Sequence, residues 1–236
     1  LGIAAACPEH TFIVLTKYAQ RMQRFFHDLQ VSERSEAPHL RHCLPRMLRH
    51  AKRLLEGADG DYSARLEAAA YRPFPLDNLW LGVSVGHPSG IHRIEHLKAS
   101  PAELRIVSCE PMIAPFEFGE ALDPTPAVHH ANLERQLPEL PGIDWIIAGG
   151  ESGRKARPCA LDGLRGLVAE GDARGIPVFI KQLGARPDPH VAMLHRKGGD
   201  PSEWPEDLVV REYPCTHCAR DGSPCEACGS SGILEV

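Results

Sequence analysis

The sequence predicts an α/β fold in which parallel strands alternate with outer helices, followed by a small C-terminal metal knuckle. Three observations carry this. Short, near-continuous apolar runs bounded by turn or polar residues recur along residues 12–180, as buried parallel strands do. Segments of helical periodicity separate several of them, and a βαβα order makes a parallel sheet, closed or open. Four cysteines then crowd into residues 215–228.

The predicted strands are Phe12 to Leu15, Leu79 to Val85, Leu104 to Val107, Trp145 to Ala148 and Val178 to Ile180. The clearest helix carries Leu161, Leu164, Leu167 and Val168 on one face, and Gly175 followed by Pro177 closes it. Residues 31–77 read as an irregular helical insertion. Within it, Leu44, Met47, Leu48, Ala51, Leu54 and Leu55 define the apolar face of one helix, with Pro45 in its first turn. The opposite face, Arg46, Arg49, Lys52 and Arg53, reads first as a solvated surface, with phosphate contact as the alternative. Residues 1–186 thus form the body. Residues 187–214, rich in Pro, Gly and charge, are expected to wrap the surface, and residues 215–236 form the cysteine tail.

At 236 residues, 43% apolar and 24% charged, the chain can bury one full core plus a small appendage. No apolar run approaches the ~18 residues of a membrane helix, and the N-terminus lacks the basic start and apolar core of a secretory signal. A cytoplasmic protein is expected. The sequence opens at Leu1 and reaches a strand within a few residues, so a fragment or an unusual start codon is also expected. A formal charge of −5 gives no global attraction for nucleic acid, so any such contact must be local; 13 histidines add positive charge below neutral pH.

In parallel α/β folds the loops after the strands converge on one crevice, so the residues delivered at strand ends matter most. Lys17 follows the first strand and Glu110 the third; Gly149, Gly150, Glu151 and Ser152, with Arg157 close behind, follow the fourth; Lys181 and Gln182 follow the fifth. Together they describe an ionisable pocket, with Glu110, Glu151, Lys17 and Lys181 as catalytic candidates and Gly149, Gly150, Ser152, Arg157 and Gln182 as ligand-binding candidates. Plainer readings stand beside these. Glu110 and Lys17 can be a buried ion pair closing the top of a barrel. Gly149 and Gly150 can be only a turn, or can admit close backbone approach to a ligand. Cys109 reads first as an inert core thiol, with nucleophile or ligand as the alternative. His10, His87 and His92 read as structural or surface groups.

Cys215-x-x-Cys218 and Cys225-x-x-Cys228 are two knuckles separated by six residues, a spacing that folds back to set four sulfurs around one ion. Clustered thiols in a reducing compartment indicate metal rather than disulfides, and a thiolate-rich tetrahedral set favours zinc, with an iron-sulfur cluster as the competitor. Such a closed site is structural. Its two Cys-x-x-Cys pairs, followed by Gly222 and by Gly229 and Gly232, look like the short zinc knuckles of chaperones and nucleic-acid proteins.

Several segments carry a family resemblance: Thr11-Phe12-Ile13-Val14-Leu15-Thr16-Lys17 with Arg21-Met22; Asn78 to Val85; Val107-Ser108-Cys109-Glu110-Pro111; Asp144 to Gly153; Ala156-Arg157-Pro158; and Val178-Phe179-Ile180-Lys181-Gln182 with Gly184. Arg196 to Asp200 and Glu203 to Leu208 extend it. From about Glu9 to Pro214 the chain resembles an uncharacterised, phage-associated bacterial family known by the phage names Gp thirty-seven and Gp sixty-eight. The resemblance implies a (β/α) barrel, here partial, related to radical S-adenosylmethionine enzymes. It also implies that the strand-end residues named above are the family's pocket. Members carry a three-cysteine motif near the N-terminus for a [4Fe-4S] cluster that binds S-adenosylmethionine. Here only Cys7 and Cys43 precede Cys109, so the cluster ligands are missing. The expected function is that of an N-terminally truncated member acting on nucleic acid or nucleotides, inactive as it stands. The alternative is a non-catalytic, zinc-containing module that binds nucleic acid or a phage-encoded protein.

Overall fold

The apolar runs become strands that line up in chain order. A computed structural model describes residues 1–34, 48, 50–54, 62–69, 72, 75–130, 135–137, 139–216, 225, 227–228, 231 and 233–235. Its strands are β1 (Phe12–Thr16), β2 (Leu79–Ser84), β3 (Arg105–Cys109), β4 (Val128–His130), β5 (Arg135–Leu137), β6 (Trp145–Gly149), β7 (Cys159–Ala160), β8 (Val178–Gln182), β9 (Pro187–Asp188), β10 (Glu212–Pro214) and β11 (Ile233–Glu235). The helices are α1 (Gly2–Ala6), α2 (Ala19–Arg34), α3 (Tyr62–Ala69), α4 (Arg93–Lys98) and α5 (Leu161–Arg174). The main sheet is parallel throughout, in the order β1-β2-β3-β6-β8, and β4-β5, β7-β9 and β10-β11 form separate two-stranded pairs. The fold is therefore mixed α/β around one five-stranded parallel sheet. Most of its strands run one or two residues past the apolar runs, because pairing continues into the polar residues at their C-terminal ends.

Alternation along each strand sends its residues to two different faces. Leu79, Leu81, Val83, Val107, Cys109, Ile146, Ala148, Val178 and Ile180 join Ile94 and Leu97 of α4 and Leu161, Leu164 and Leu167 of α5 in one buried cluster. Helix α5 ends as its sequence requires, with Gly175 in the left-handed region at φ 63°. The second face carries Trp80, Trp145 and Phe179, whose rings meet edge to face. Tyr213 covers part of it, 5.4 Å from Trp145 and 5.1 Å from Phe179 between ring centroids.

The two edges of the sheet differ. On the β8 side, Ile180 N–H donates to Val210 O and Phe179 bridges Arg211 antiparallel, while Trp204 and Leu208 of the same segment are buried. On the β1 side no strand pairs among the described residues, and Ile13, Val14 and Leu15 are 45%, 46% and 44% exposed. The expectation that all five runs are buried is corrected here. A continuous apolar run marks a parallel strand but does not say whether both of its neighbours exist. The expected helix around residues 44–55 is described only at Leu48 and residues 50–54, which are helical. Leu48 and Ala51 are buried as expected, whereas Leu54 is 73% exposed and does not belong to the apolar face. Among the described residues no helix is long and apolar enough to cross a membrane.

The lower end of the sheet is closed by polar side chains. The Asn78 amide, just before β2, donates to the carbonyls of Ala4, Cys7 and His10 at 2.9, 3.0 and 2.8 Å. Asp144, just before β6, accepts from Arg105 N–H at 2.7 Å. The upper end, where the strands finish, is left to the candidate site.

Candidate functional site

Four strand ends deliver ionisable groups, and the structure pairs them differently from the sequence expectation. Glu110, directly after β3, places Oε2 3.3 Å from Lys181 Nζ at the end of β8. Its partner is thus Lys181 and not Lys17, which makes no hydrogen bond or ion pair among the described residues. Strand order alone does not decide this, since one strand separates β3 from β8 and from β1 alike; on the β8 side, however, the intervening β6 ends in Gly149. A Cβ on Gly149 would stand 3.2 Å from Glu110 Oε1, so the missing side chain is what lets the carboxylate lean across the strand end. Glu110 Oε1 is buried and has no hydrogen-bond partner.

Gly149 and Gly150 serve close chain packing as well. A Cβ at Gly149 would sit 2.7 Å from Gln182 O, and one at Gly150 would sit 2.3 Å from Leu183 O and 2.8 Å from Cys159 Cβ. The space is already used: Gly150 N–H donates to Gln182 O at 2.9 Å, and Gln182 Nε2 donates to Gly150 O at 2.8 Å. The glycine pair therefore lets the ends of β6 and β8 lock together, a role that neither sequence reading of the pair contained.

Glu151 is committed to Arg157. Its Oε2 accepts from Arg157 N–H at 2.8 Å and from Nε at 3.1 Å, and its Oε1 accepts from Nη2 at 2.7 Å. These bonds lower its pKa to about 2, so it is a carboxylate at neutral pH and a poor proton acceptor there. The pair closes the loop of residues 151–157, on which Ser152 is exposed. Cys109 is fully buried, and burial first, then the charge of Glu110, drives its thiol well above the ordinary range. Burial pushes Cys159 up to about 12. Both remain protonated thiols, which supports the inert reading of Cys109. His87 Nδ1 accepts from Ser89 N–H at 3.2 Å and caps a short turn, and His92 Nδ1 lies 2.8 Å from Ser89 O.

Two cavities flank β1. An apolar cleft of ≈560 Å³ runs between the strand and α2, lined by Leu1, Val14, Met22, Phe25 and Phe26 among others. At the end of the strand lies a second cavity of ≈450 Å³, lined by Lys17, Arg21, His92, Arg93 and His96 and by uncharged residues of the 18–20 segment. In sequence, Lys17 reads as a pocket residue, Arg21 only as part of a family-like segment and His92 as a structural or surface group, and nothing singles out Arg93 or His96. The lining residues come from two segments about seventy residues apart, joined only because β2 lies beside β1.

In the tail, Cys215, Cys225 and Cys228 bring their sulfurs within 4.8 Å of one another, with Cys215 and Cys225 3.7 Å apart. The β10-β11 ladder pairs Pro214 with Ile233 and so draws the two flanks of the tail together. Cys218, the fourth expected ligand, lies outside the described residues. The three sulfurs can hold a metal ion, and among the described residues they are the one group of this kind. At the strand ends no second set of this kind occurs among the described residues. Cys7 ends α1 at the lower end of the sheet, Cys43 lies outside the described residues, and Cys109 and Cys159 are buried thiols.

Fold and site together define an α/β protein with a five-stranded parallel main sheet, an ionisable rim at the strand ends and a cysteine-rich tail. The family model described as "Protein of unknown function (DUF5131)" matches residues 1–204, and the chain belongs to that family. No curated protein and no solved structure matches it.

Proposed function

We propose that the chain is the larger part of a (β/α) barrel of the phage-associated, radical S-adenosylmethionine-like type, whose strand-end rim binds a nucleotide or nucleic-acid ligand in the cytoplasm. The observation that carries this is the strand order. A doubly wound sheet reverses direction at a switch point, whereas β1-β2-β3-β6-β8 never reverses. With α4 and α5 packed on one face, that order supports reading the sheet as an arc of a barrel. The bare β1 edge is then where the barrel continues. Glu110, Lys181 and Gln182, with the Glu151–Arg157 pair, stand where barrel enzymes gather their ligand contacts. Among the described residues no three thiols gather at this rim to hold a [4Fe-4S] cluster, so the proposed role is ligand binding.

In the tail, zinc is the metal the donors suit. Tetrahedral Zn–S bonds of about 2.3 Å set sulfurs about 3.8 Å apart, against 3.7 Å for Cys215 and Cys225. With Cys218 as fourth ligand the site is closed and structural. The second reading, a non-catalytic binding module for nucleic acid or a phage-encoded protein, is favoured by the state of Glu151 and Cys109: one is locked in an ion pair and the other is a protonated core thiol.

Thermal melting in the presence of S-adenosylmethionine, ATP or a short single-stranded oligonucleotide tests the rim. One of these is expected to raise the melting temperature of the wild type and to lose that effect in Lys181→Met. No ligand response in either protein leaves the binding-module reading ahead.

A further inference from the structure

We infer that the cavity lined by Lys17, Arg21, His92, Arg93 and His96 is a phosphate pocket that takes the terminal phosphate of a small phosphorylated ligand such as a nucleotide. The inference rests on the reading of the strand ends as the ligand-binding rim, and adds to it the part of the ligand that the rim residues do not address.

The lining is the first argument. The chain carries a net charge of −5, yet this ≈450 Å³ cavity has two arginines, one lysine and two histidines around it and no carboxylate. Lys17 and Arg21 form no ion pair or hydrogen bond among the described residues, in contrast to Arg157, Arg165 and Arg174, each of which is held by an acidic side chain. Two cations converging on a concave space without a counter-charge repel each other, and a bound anion removes that penalty. The remaining polar groups are braced. Arg93 Nη1 donates to Ser84 O at 2.6 Å, which orients the guanidinium and leaves its other N–H groups unassigned. His96 Nδ1–H donates to Gln23 Oε1 at 2.7 Å and His92 Nδ1–H to Ser89 O at 2.8 Å, so in both rings Nε2 is the nitrogen left for a ligand, as an acceptor from a protonated phosphate oxygen or, in the imidazolium, as a donor to an ionised one.

Position and size give the second argument. The cavity sits where β1 and β2 end, on the same side of the sheet as the ends of β3, β6 and β8, which is the side that binds ligands in parallel α/β folds. Its volume falls within the ~300–1,000 Å³ of small-molecule sites. A terminal phosphate has three free oxygens and close to two negative charges, and so can engage several of these donors at once. A phosphodiester offers two oxygens and one charge. This favours a small phosphorylated ligand over a nucleic-acid backbone.

Isothermal titration of the full chain with ATP, inorganic pyrophosphate, adenosine and a 5′-hydroxyl oligothymidylate tests the inference. ATP and pyrophosphate are expected to bind, and adenosine more weakly by about tenfold or more, the equivalent of one charge-assisted hydrogen bond. Lys17→Ala with Arg21→Ala should weaken ATP by about tenfold or more while leaving adenosine unchanged. Arg24→Ala, on the same helix but outside the cavity, should change neither. Both altered side chains are exposed, so the fold should survive, and unchanged circular dichroism and melting temperature check that it does. Absence of ATP and pyrophosphate binding overturns the pocket, and so does an oligothymidylate that binds as tightly as ATP. ATP binding that is lost in Lys181→Met but indifferent to the Lys17 and Arg21 changes overturns the pocket while leaving the rim reading intact.

Discussion

Replacing Glu110 by Gln separates a site kept for binding from a bridge kept for stability, and the structure sets the size of the effect. Lys181 is 55% exposed at its side chain and Glu110 is 22% exposed. An ion pair with one partner half in water contributes at most about 1 kcal/mol. Against that gain, Oε1 of Glu110 is buried without a partner, and a buried unsatisfied group costs about 1–3 kcal/mol. Glutamine keeps the shape, removes the charge and leaves Lys181 free to be solvated. Its amide still buries a polar atom at the Oε1 position, so that cost largely stays, while an ion-pair term of at most about 1 kcal/mol is lost and the desolvation of the charge is relieved; Glu110→Gln should therefore change stability by no more than about 1 kcal/mol, in either direction. For a chain of this length that is about 2–4 °C in melting temperature. Scanning calorimetry of the two proteins, supported by urea unfolding, measures it. A loss of ~3 kcal/mol or more is the signature of a buried pair broken on one side, and it would refute the argument that Glu110 is held at the rim against a stability cost.

Three further outcomes are expected. Gly150→Ala places a Cβ 2.3 Å from the Leu183 carbonyl, which backbone cannot easily yield, so urea unfolding should show a loss of about 1–3 kcal/mol or more; a wild-type midpoint would show that the ends of β6 and β8 are not locked together. Glu151→Gln concerns acid stability. The folded pKa of Glu151, about 2, lies below the ordinary 4.5, so the pair's contribution is complete above pH 4.5 and is lost as pH falls toward 2. The gap in melting temperature between wild type and Glu151→Gln should therefore narrow as pH falls below 4.5, and a gap that stays constant there contradicts the pairing. Elemental analysis of protein purified without chelator should find about one zinc per chain, lost in Cys215→Ser with Cys225→Ser; metal-free wild type would sink the tail site, and iron with visible absorbance would point to a cluster.

The parallel sheet was legible because its inner strands, covered on both faces, need continuous apolar runs, and the helix 161–174 because Gly175 closes a clear apolar stripe. The exposure of β1 was not legible, since Phe12 to Leu15 reads like any buried run and only the strand order shows it to be an edge. At the site, residue types after each strand pointed to an ionisable rim, but not to the partners within it. Glu110 meets a lysine 71 positions away, and Lys17 and Lys181 end strands equally distant from β3, so the choice depends on packing at the strand ends, where Gly149 leaves room for the carboxylate. The Gly149-Gly150 pair looked like a turn or a ligand cradle because sequence does not show the carbonyls of Gln182 and Leu183 pressed against it. The cysteine tail, whose spacing is local, needed least from the fold.

The central claim is that ligands are held where the five strands end. Hydrogen-deuterium exchange of the full chain with and without saturating ATP tests it most directly. Protection is expected in the segments that follow the strands, residues 16–21, 86–92, 110–112, 149–157 and 181–184, with no change at the lower end around Asn78 and Asp144. Protection confined to the tail, residues 212–235, or absent altogether, would contradict the claim.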